Sequence, residues 1–141
     1  MTTLIIVRHG LSESNVNKTI AGQLDVKLTS LGILQAQCAA SYLKDTHFDA
    51  IYSSTLSRAY DTALAIAKGR GVEIIADKNL RETNLGDWQG KSIEAVQKEL
   101  AEWKANFDYI PPNGESTLQV RQRVGLALDN IAKSMTAKQY S

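Results

Sequence analysis

The chain alternates short apolar runs with longer stretches that have helical periodicity. The short runs are rich in β-prone residues and predict strands at residues 4–7, 48–52 and 72–75. The longer stretches predict helices at residues 29–44, 56–68, 92–107 and 116–135. The first run contains no polar residue, which is typical of a strand that is covered on both faces. This order of elements predicts an α/β fold with a mostly parallel sheet, flanked by helices on both faces.

Polar residues and glycines mark the ends of several predicted helices. Thr29 is the predicted N-cap of the first helix, and Gly69 and Gly71 follow the last turn of the second. Ser116 and Gln119 have the spacing of a capping box, in which each side chain binds the backbone N–H of the other residue. The last helix is therefore expected to begin at this pair.

Composition and charge restrict the class of protein. The 141 residues are 43% apolar and 22% charged, which is ordinary for one soluble domain covering residues 1–141. A net charge of +1 gives no general attraction to nucleic acid or to a membrane. The single cysteine, Cys38, is predicted to be buried, and it favours a reducing, cytoplasmic compartment. One cysteine and two histidines also make a structural zinc site unexpected.

Polar side chains follow each predicted strand. Arg8, His9 and Gly10 follow the first strand, Arg58 lies shortly after the second, and Glu82 lies in the loop after the third. Because ligands of open α/β sheets bind at the carboxyl ends of the strands, we expect these residues to gather at one edge of the sheet.

The expected cluster is suited to phosphoryl transfer. The guanidinium groups of Arg8 and Arg58 match the oxygens of a phosphoryl group and neutralise its charge, so no metal or other cofactor is needed. A neutral His9 can attack phosphorus and become phosphorylated. Gly10 would let the backbone lie close to the bound group. Glu82 can give a proton to the leaving oxygen and later take one from water. The expected ligand is a small phosphorylated molecule.

A longer series of residues resembles the histidine phosphatase superfamily, the group of phosphoglycerate mutases and related acid phosphatases. The series begins with Arg8, His9 and Gly10 and spans most of the chain in order. Its further members are Glu13, Asn15, Gly22, Leu28, Thr29, Gly32, Ser53, Ser54, Leu56, Arg58, Ala59, Thr62, Ala63, Leu80, Arg81, Glu82, Gly86, Trp88, Gly90, Gly114, Glu115 and Ser116.

The resemblance implies a role for each matched site residue. His9 would be the nucleophile that forms phosphohistidine, and Glu82 would be the general acid and base. The substrate-binding residues would be Arg8 and Arg58 at the phosphoryl group, and Asn15, Gly22 and Gln23 on the substrate side of the pocket. From the residues alone, Asn15 has an open alternative, which is that it caps a short helix or stabilises a loop.

The sequence departs from the family pattern at its C-terminal end. The family has a second histidine in the phosphate pocket, on a strand that follows the last helix, whereas this sequence ends at Ser141. His47 lies outside any matching motif and cannot replace it. We therefore expect a single domain that lacks the C-terminal part of the family fold, with weakened activity.

The resemblance leaves three functions open. Residues 81–88 resemble the phosphatase branch, which favours a phosphomonoester hydrolase with a phosphohistidine intermediate. The alternatives are phosphoglycerate mutase-type phosphoryl transfer and a non-catalytic phosphate-binding module, the latter because the second histidine is missing. The oligomeric state stays open.

Overall fold

The computed structural model describes the backbone of residues 1–140 and the side chains of residues 1–136. Two strands are present, β1 (Ile51–Ser53) and β2 (Ile74–Ala76). The α-helices are α1 (Glu13–Asn17), α2 (Ser30–Tyr42), α3 (Ser57–Ala67), α4 (Gln97–Ala105) and α5 (Thr117–Tyr140). Short 3₁₀ turns lie at Lys78–Leu80, Gly86–Trp88 and Glu94–Val96.

The two strands form a parallel pair joined by a helical crossover. Ile51 pairs with Ile74 and Ser53 with Ala76. Helix α3 connects the strands and packs on both of them, while α2 packs against α3. This unit confirms the predicted α/β class and the parallel sheet. Both strands begin a few residues later than the sequence pattern predicts, and the sheet of the described residues is smaller than expected.

The predicted strand at residues 4–7 is wrong. This segment has no strand assignment in the structure, and its side chains are exposed, with Ile6 at 81%. A strand needs a neighbour that binds its backbone N–H and C=O groups. Within residues 1–140, the only paired strands are β1 and β2, so the apolar run has the composition of a strand without a partner. Cys38 is also exposed, contrary to the prediction.

The starts of two helices agree with the capping signals in the sequence. Oγ1 of Thr29 accepts the N–H of Gly32 at 3.0 Å, so Thr29 is the N-cap of α2. Ser116 Oγ accepts the N–H of Gln119 at 3.1 Å, and Gln119 Oε1 accepts the N–H of Ser116 at 2.8 Å, which confirms the capping box before α5. The helix predicted from residue 92 begins only at Gln97, after a 3₁₀ turn.

A small apolar core lies under the loop that follows β2. Trp88 is 4% exposed and packs with Ile20, Val96 and Leu100, and its ring stacks on Tyr109 at 6.0 Å between centroids. The core therefore anchors the loop that carries Glu82. Within residues 1–140, no helix has both the length and the apolar character needed to cross a membrane.

Candidate active site

The segment that carries His9 is held between α2 and α3. The N–H of Gly10 donates to Oγ1 of Thr62 at 3.2 Å, and that hydroxyl donates in turn to the carbonyl of Arg58 at 2.8 Å. The N–H of Leu11 donates to Oε1 of Gln35 on α2 at 2.8 Å. These bonds fix the backbone on the C-terminal side of His9, so the position of the imidazole is set by the packing of two helices.

The hydrogen bond of His9 determines its tautomer. Nδ1 of the half-buried ring lies 2.6 Å from the carbonyl oxygen of Gly10. A carbonyl oxygen only accepts hydrogen bonds, so a neutral imidazole in this position carries its proton on Nδ1. The lone pair of Nε2 is then available to attack an electrophile.

Gly10 is required by a close contact between two backbones. A Cβ at Gly10 would lie 2.3 Å from the carbonyl oxygen of Gly32 on α2, and a Cβ at Gly32 would lie 2.1 Å from the carbonyl oxygen of Leu11. Helix packing therefore gives a reason for this glycine that needs no ligand, and the sequence-based reason, access of a bound group to the backbone, stays a prediction. The two glycines let α2 approach the His9 segment.

A cavity of about 190 Å³ lies beside His9. Arg8, His9 and Gly10 line one side of it, and residues of α2 and α3, among them Gln35 and Thr62, line the other. The side chain of Arg8 is exposed to solvent. Of the four residues that the sequence predicts to gather, Arg8 and His9 lie at this concave site. Arg58 and Glu82 do not line this cavity.

Arg58 instead organises a second cluster around the loop after α1. Its side chain is buried, at 3% exposure, and it donates to the carbonyl of Leu24 at 2.8 Å and to that of Gly22 at 2.6 Å. Burial lowers the pKa of Arg58, and the nearby carboxylates of Glu82 and Asp25 act in the opposite direction. A guanidinium has five N–H donors, so the two carbonyls do not use all of them, and a contact of Arg58 with a phosphoryl group stays a prediction.

Gln23 connects this loop to Glu82. Nε2 of Gln23 donates to the backbone carbonyl of Glu82 at 3.1 Å. The carboxylate of Glu82 is exposed, and its Oε1 accepts the N–H of Thr83 at 2.9 Å. Gly22, Gln23, Arg58 and Glu82 thus form one cluster. One turn of α3 connects it to the His9 cavity, because the Arg58 carbonyl accepts from the hydroxyl that holds Gly10.

Asn15 caps the short helix α1. Its Oδ1 accepts the N–H of Ser12 at 2.9 Å, and its own N–H donates to Oγ of Ser12 at 3.3 Å. The structure therefore shows the alternative role that the sequence left open for Asn15. A substrate contact of its exposed side chain stays a prediction.

Two side chains that support these clusters were not assigned a role from the sequence. Oε1 of Gln89 accepts the N–H of Gln23 at 2.8 Å and the N–H of Leu85 at 3.2 Å. A Cβ at Gly22 would lie 2.4 Å from this oxygen, and Gly22 has a φ of +54°. Thr62 connects Gly10 to α3, as described above. Gln89 is 66 residues from Gln23, so no local spacing pattern indicates that contact.

Comparison with known proteins decides the family. The sequence profile of the histidine phosphatase superfamily (branch 1) matches residues 4–140. The chain belongs to this superfamily. The resemblance predicted from the motif series is thereby confirmed.

Relatives of this chain include phosphatases and mutases. The glucosyl-3-phosphoglycerate phosphatase of Mycobacterium tuberculosis is 40% identical over 125 residues, which cover 85% of this chain and 56% of that protein. The 2,3-bisphosphoglycerate-dependent phosphoglycerate mutase of Cytophaga hutchinsonii is 37% identical over 131 residues, which cover 88% of this chain and 62% of that protein. The chain therefore spans little more than half the length of these curated relatives.

The fold of this chain matches that of a solved relative. The structure of a mycobacterial glucosyl-3-phosphoglycerate phosphatase in complex with VO3 superposes with a TM-score of 0.84 at 35% identity. The match covers 89% of this chain and 65% of that one. Among the residues described here, no three His, Cys, Asp or Glu side chains form a group that could hold a metal ion.

Asp25 makes a pH-dependent contact at the start of α3. Its Oδ1 accepts the N–H of Ser57 at 2.7 Å, and this bond holds the pKa of Asp25 below its ordinary value of 3.8. The stabilisation is complete above the pKa of the unfolded chain and is lost as the pH falls through the lower folded pKa. We expect the difference in thermal midpoint between wild type and Asp25→Asn to shrink below about pH 4.

Thermal unfolding of both proteins from about pH 6 to about pH 2.5 measures this difference. Asparagine keeps the accepting oxygen without the charge, so it isolates the titration of the carboxylate. A constant difference over the whole range would contradict the prediction.

Proposed function

We propose that this protein is a phosphomonoester hydrolase that works without a metal, through a phosphohistidine intermediate on His9. The observation that carries the proposal is the hydrogen bond of His9 and the position of its ring. Its Nδ1 lies against the Gly10 carbonyl, and its ring lies beside Arg8 at a cavity. A 40% identical relative is named as a phosphatase, and the related structure with VO3 holds an oxyanion. The single cysteine favours a cytoplasmic site of action.

The first chemical step transfers the phosphoryl group to the protein. Nε2 of His9 attacks phosphorus, and the N–P bond forms as the bond from phosphorus to the leaving oxygen breaks. Arg8 stabilises the charge on the non-bridging oxygens at the cavity. Arg58 is the proposed second donor, and its buried guanidinium must turn from the neighbouring cluster to reach the phosphoryl group, because it does not line the cavity in this structure. Glu82, in its protonated form, gives its proton to the leaving oxygen, so the product departs as an alcohol.

The second step returns the nucleophile to its starting state. Glu82, now a carboxylate, takes a proton from water while the water oxygen attacks phosphorus. The N–P bond breaks, inorganic phosphate leaves, and Nε2 of His9 regains its lone pair. Gly22, Gln23 and Asn15 are the proposed contacts to the rest of the substrate. The position of Gln23 on the Glu82 backbone places its amide near the proposed proton donor.

The domain assignment is part of the proposal. Residues 1–141, which span little more than half the length of the curated relatives, are proposed to form one histidine phosphatase domain.

Mutase activity is the second candidate, because a 37% identical relative is named as a phosphoglycerate mutase. Both activities begin with the same phosphohistidine and differ in the acceptor of the phosphoryl group. A phosphatase passes the group to water, whereas a mutase returns it to a phosphorylated intermediate. The fate of a trapped phosphoryl group therefore separates the two.

The test is a labelling experiment with the 141-residue chain. A ³²P-labelled aryl phosphate is added in the presence of excess chelator, the reaction is stopped with base, and the protein is separated from substrate. We expect label on the protein that is stable in base and lost in acid, as a phosphoramidate requires. Release of the label as inorganic phosphate supports the hydrolase, and transfer to added phosphoglycerate supports the mutase. Labelling that occurs only when the chelator is left out, or label that is stable in acid, would overturn the proposal.

A further inference from the structure

Arg123 on α5 makes an unusual number of contacts with the segment that carries Glu82. One terminal nitrogen donates to the carbonyls of Asn79 and Arg81, at 2.7 and 3.0 Å. The other donates to the carbonyl of Glu82 at 3.3 Å. A single side chain thus binds three carbonyls immediately before and at the proposed proton donor.

Glu115 completes the arrangement from the other side. It binds Arg123 through both carboxylate oxygens, with Oε1 2.7 Å from Nη2 and Oε2 3.3 Å from Nε. Oε1 also accepts the N–H of Asn84 at 2.8 Å, and the N–H of Glu115 donates to the carbonyl of Asn84 at 2.8 Å. The pair therefore binds the backbone on both sides of Glu82.

We propose that Glu115 and Arg123 are positioning residues that hold the backbone of residues 79–84 so that the Glu82 carboxyl is placed for proton transfer. This inference rests on the proposed function, in which Glu82 is the general acid and base. Among the described residues, the exposed Glu82 carboxylate accepts a hydrogen bond from the N–H of the adjacent Thr83. The orientation of the side chain therefore depends on the backbone of this segment. The part-buried charges of Arg123 and Glu115 offset each other, so the pair affects Glu82 mainly by holding its backbone in place.

This arrangement is stronger than an ordinary surface ion pair. Exposed ion pairs contribute little because solvent screens them and both side chains lose freedom. Here the side chains of Arg123 and Glu115 are 20% and 19% exposed, and the guanidinium also binds three backbone carbonyls. A planar fork is needed for this set of bonds, so lysine cannot reproduce it.

The experiment compares two substrates that differ in their need for a proton donor. Phenyl phosphate has a poor leaving group and requires general acid catalysis, whereas 2,4-dinitrophenyl phosphate has a good one and does not. The comparison uses kcat/KM, which reports the phosphorylation step and excludes the hydrolysis of phosphohistidine that both esters share. In Arg123→Ala and Arg123→Lys, we expect kcat/KM for phenyl phosphate to fall by about tenfold to a hundredfold. We expect kcat/KM for the dinitrophenyl ester to stay within about threefold of wild type.

The matched control is Arg121→Ala, which removes an exposed arginine two residues earlier on the same helix. We expect this variant to behave as wild type with both esters. Equal losses with both esters in Arg123→Ala would indicate a purely structural role and overturn the inference, as would no loss at all.

Glu82→Gln separates this inference from the function on which it rests. A selective loss with phenyl phosphate in Glu82→Gln but not in Arg123→Ala overturns only the positioning role. No selective loss in Glu82→Gln overturns the assignment of Glu82, and the inference with it.

Hydrogen exchange gives a readout that does not depend on turnover. In Arg123→Ala, we expect faster exchange of the Thr83 and Asn84 amides, with α2 and α3 unchanged. Unchanged exchange at Thr83 and Asn84 would overturn the inference even in a chain with no measurable turnover.

Discussion

Replacing His9 with alanine is expected to reduce hydrolysis of an aryl phosphate by at least about a thousandfold and to abolish the acid-labile phosphoprotein. The variant has no nitrogen to form the N–P bond, so the remaining groups can only bind the ester and polarise it. The side chain is half-buried beside a cavity and makes one described hydrogen bond, to the neighbouring carbonyl. Its removal should therefore leave the fold intact. Steady-state turnover in the presence of chelator, together with the thermal midpoint, measures both expectations.

His47→Ala is the matched control, because His47 is the other histidine of the chain. Its exposed Nε2 lies 3.0 Å from Oδ1 of Asp49, an exposed contact that contributes little to stability. We expect this variant to retain wild-type turnover and labelling. Turnover that persists in His9→Ala, or is lost in His47→Ala, would move the nucleophile away from His9.

Capping signals that act over a few residues predicted the starts of α2 and α5. Thr29 and the pair of Ser116 and Gln119 form their caps within one turn of chain, so the sequence nearby contains the whole interaction. The strand at residues 4–7 failed for the opposite reason. Its apolar side chains favour an extended and buried segment. A strand also needs hydrogen-bonding partners from other parts of the chain, and β-propensity depends on that context.

The candidate site was predicted in part. The argument from strand ends predicted that Arg8, His9, Arg58 and Glu82 gather at one edge of the sheet. The carboxylate of Glu82 lies near Arg58, but neither residue lines the cavity beside Arg8 and His9. The sequence did not predict that the guanidinium of Arg58 would bind the carbonyls of Gly22 and Leu24. Such bonds depend on where the backbone of a distant loop turns, which no motif spacing encodes. The catalytic and substrate-binding roles stay predictions, and the His9 and Glu82 variants test the catalytic ones.

Residues that support the site were the hardest to recognise. Gln89 and Arg123 bind backbone groups rather than a ligand, and their partners are 66 and more than 40 residues away in sequence. Glu115 belongs to the motif series that indicates the family, but the motif alone assigns it no contact. The structure gives it one, at Asn84 and Arg123, and so connects the start of α5 to the proposed proton donor.

Gly10→Ala is expected to destabilise the fold by about 3 kcal/mol, because the new methyl group meets backbone rather than a movable side chain. Its Cβ would lie 2.3 Å from the Gly32 carbonyl oxygen, so α2 must move away from the His9 segment. That movement strains the bond from the Gly10 N–H to Thr62 and displaces the carbonyl that sets the His9 tautomer. Urea unfolding at neutral pH measures the change in the free energy of unfolding.

Gly125→Ala provides the control for the chemical change itself. Gly125 lies within α5, and a Cβ built there meets no other atom within 4 Å. Alanine is the better helix former by about 1 kcal/mol, so this variant should be more stable than wild type. The two substitutions are expected to change the free energy of unfolding in opposite directions, because Gly10 faces another backbone segment and Gly125 does not. If Gly10→Ala were as stable as wild type, α2 would not be held against the His9 segment by this contact, and the packing that positions the nucleophile would need another source.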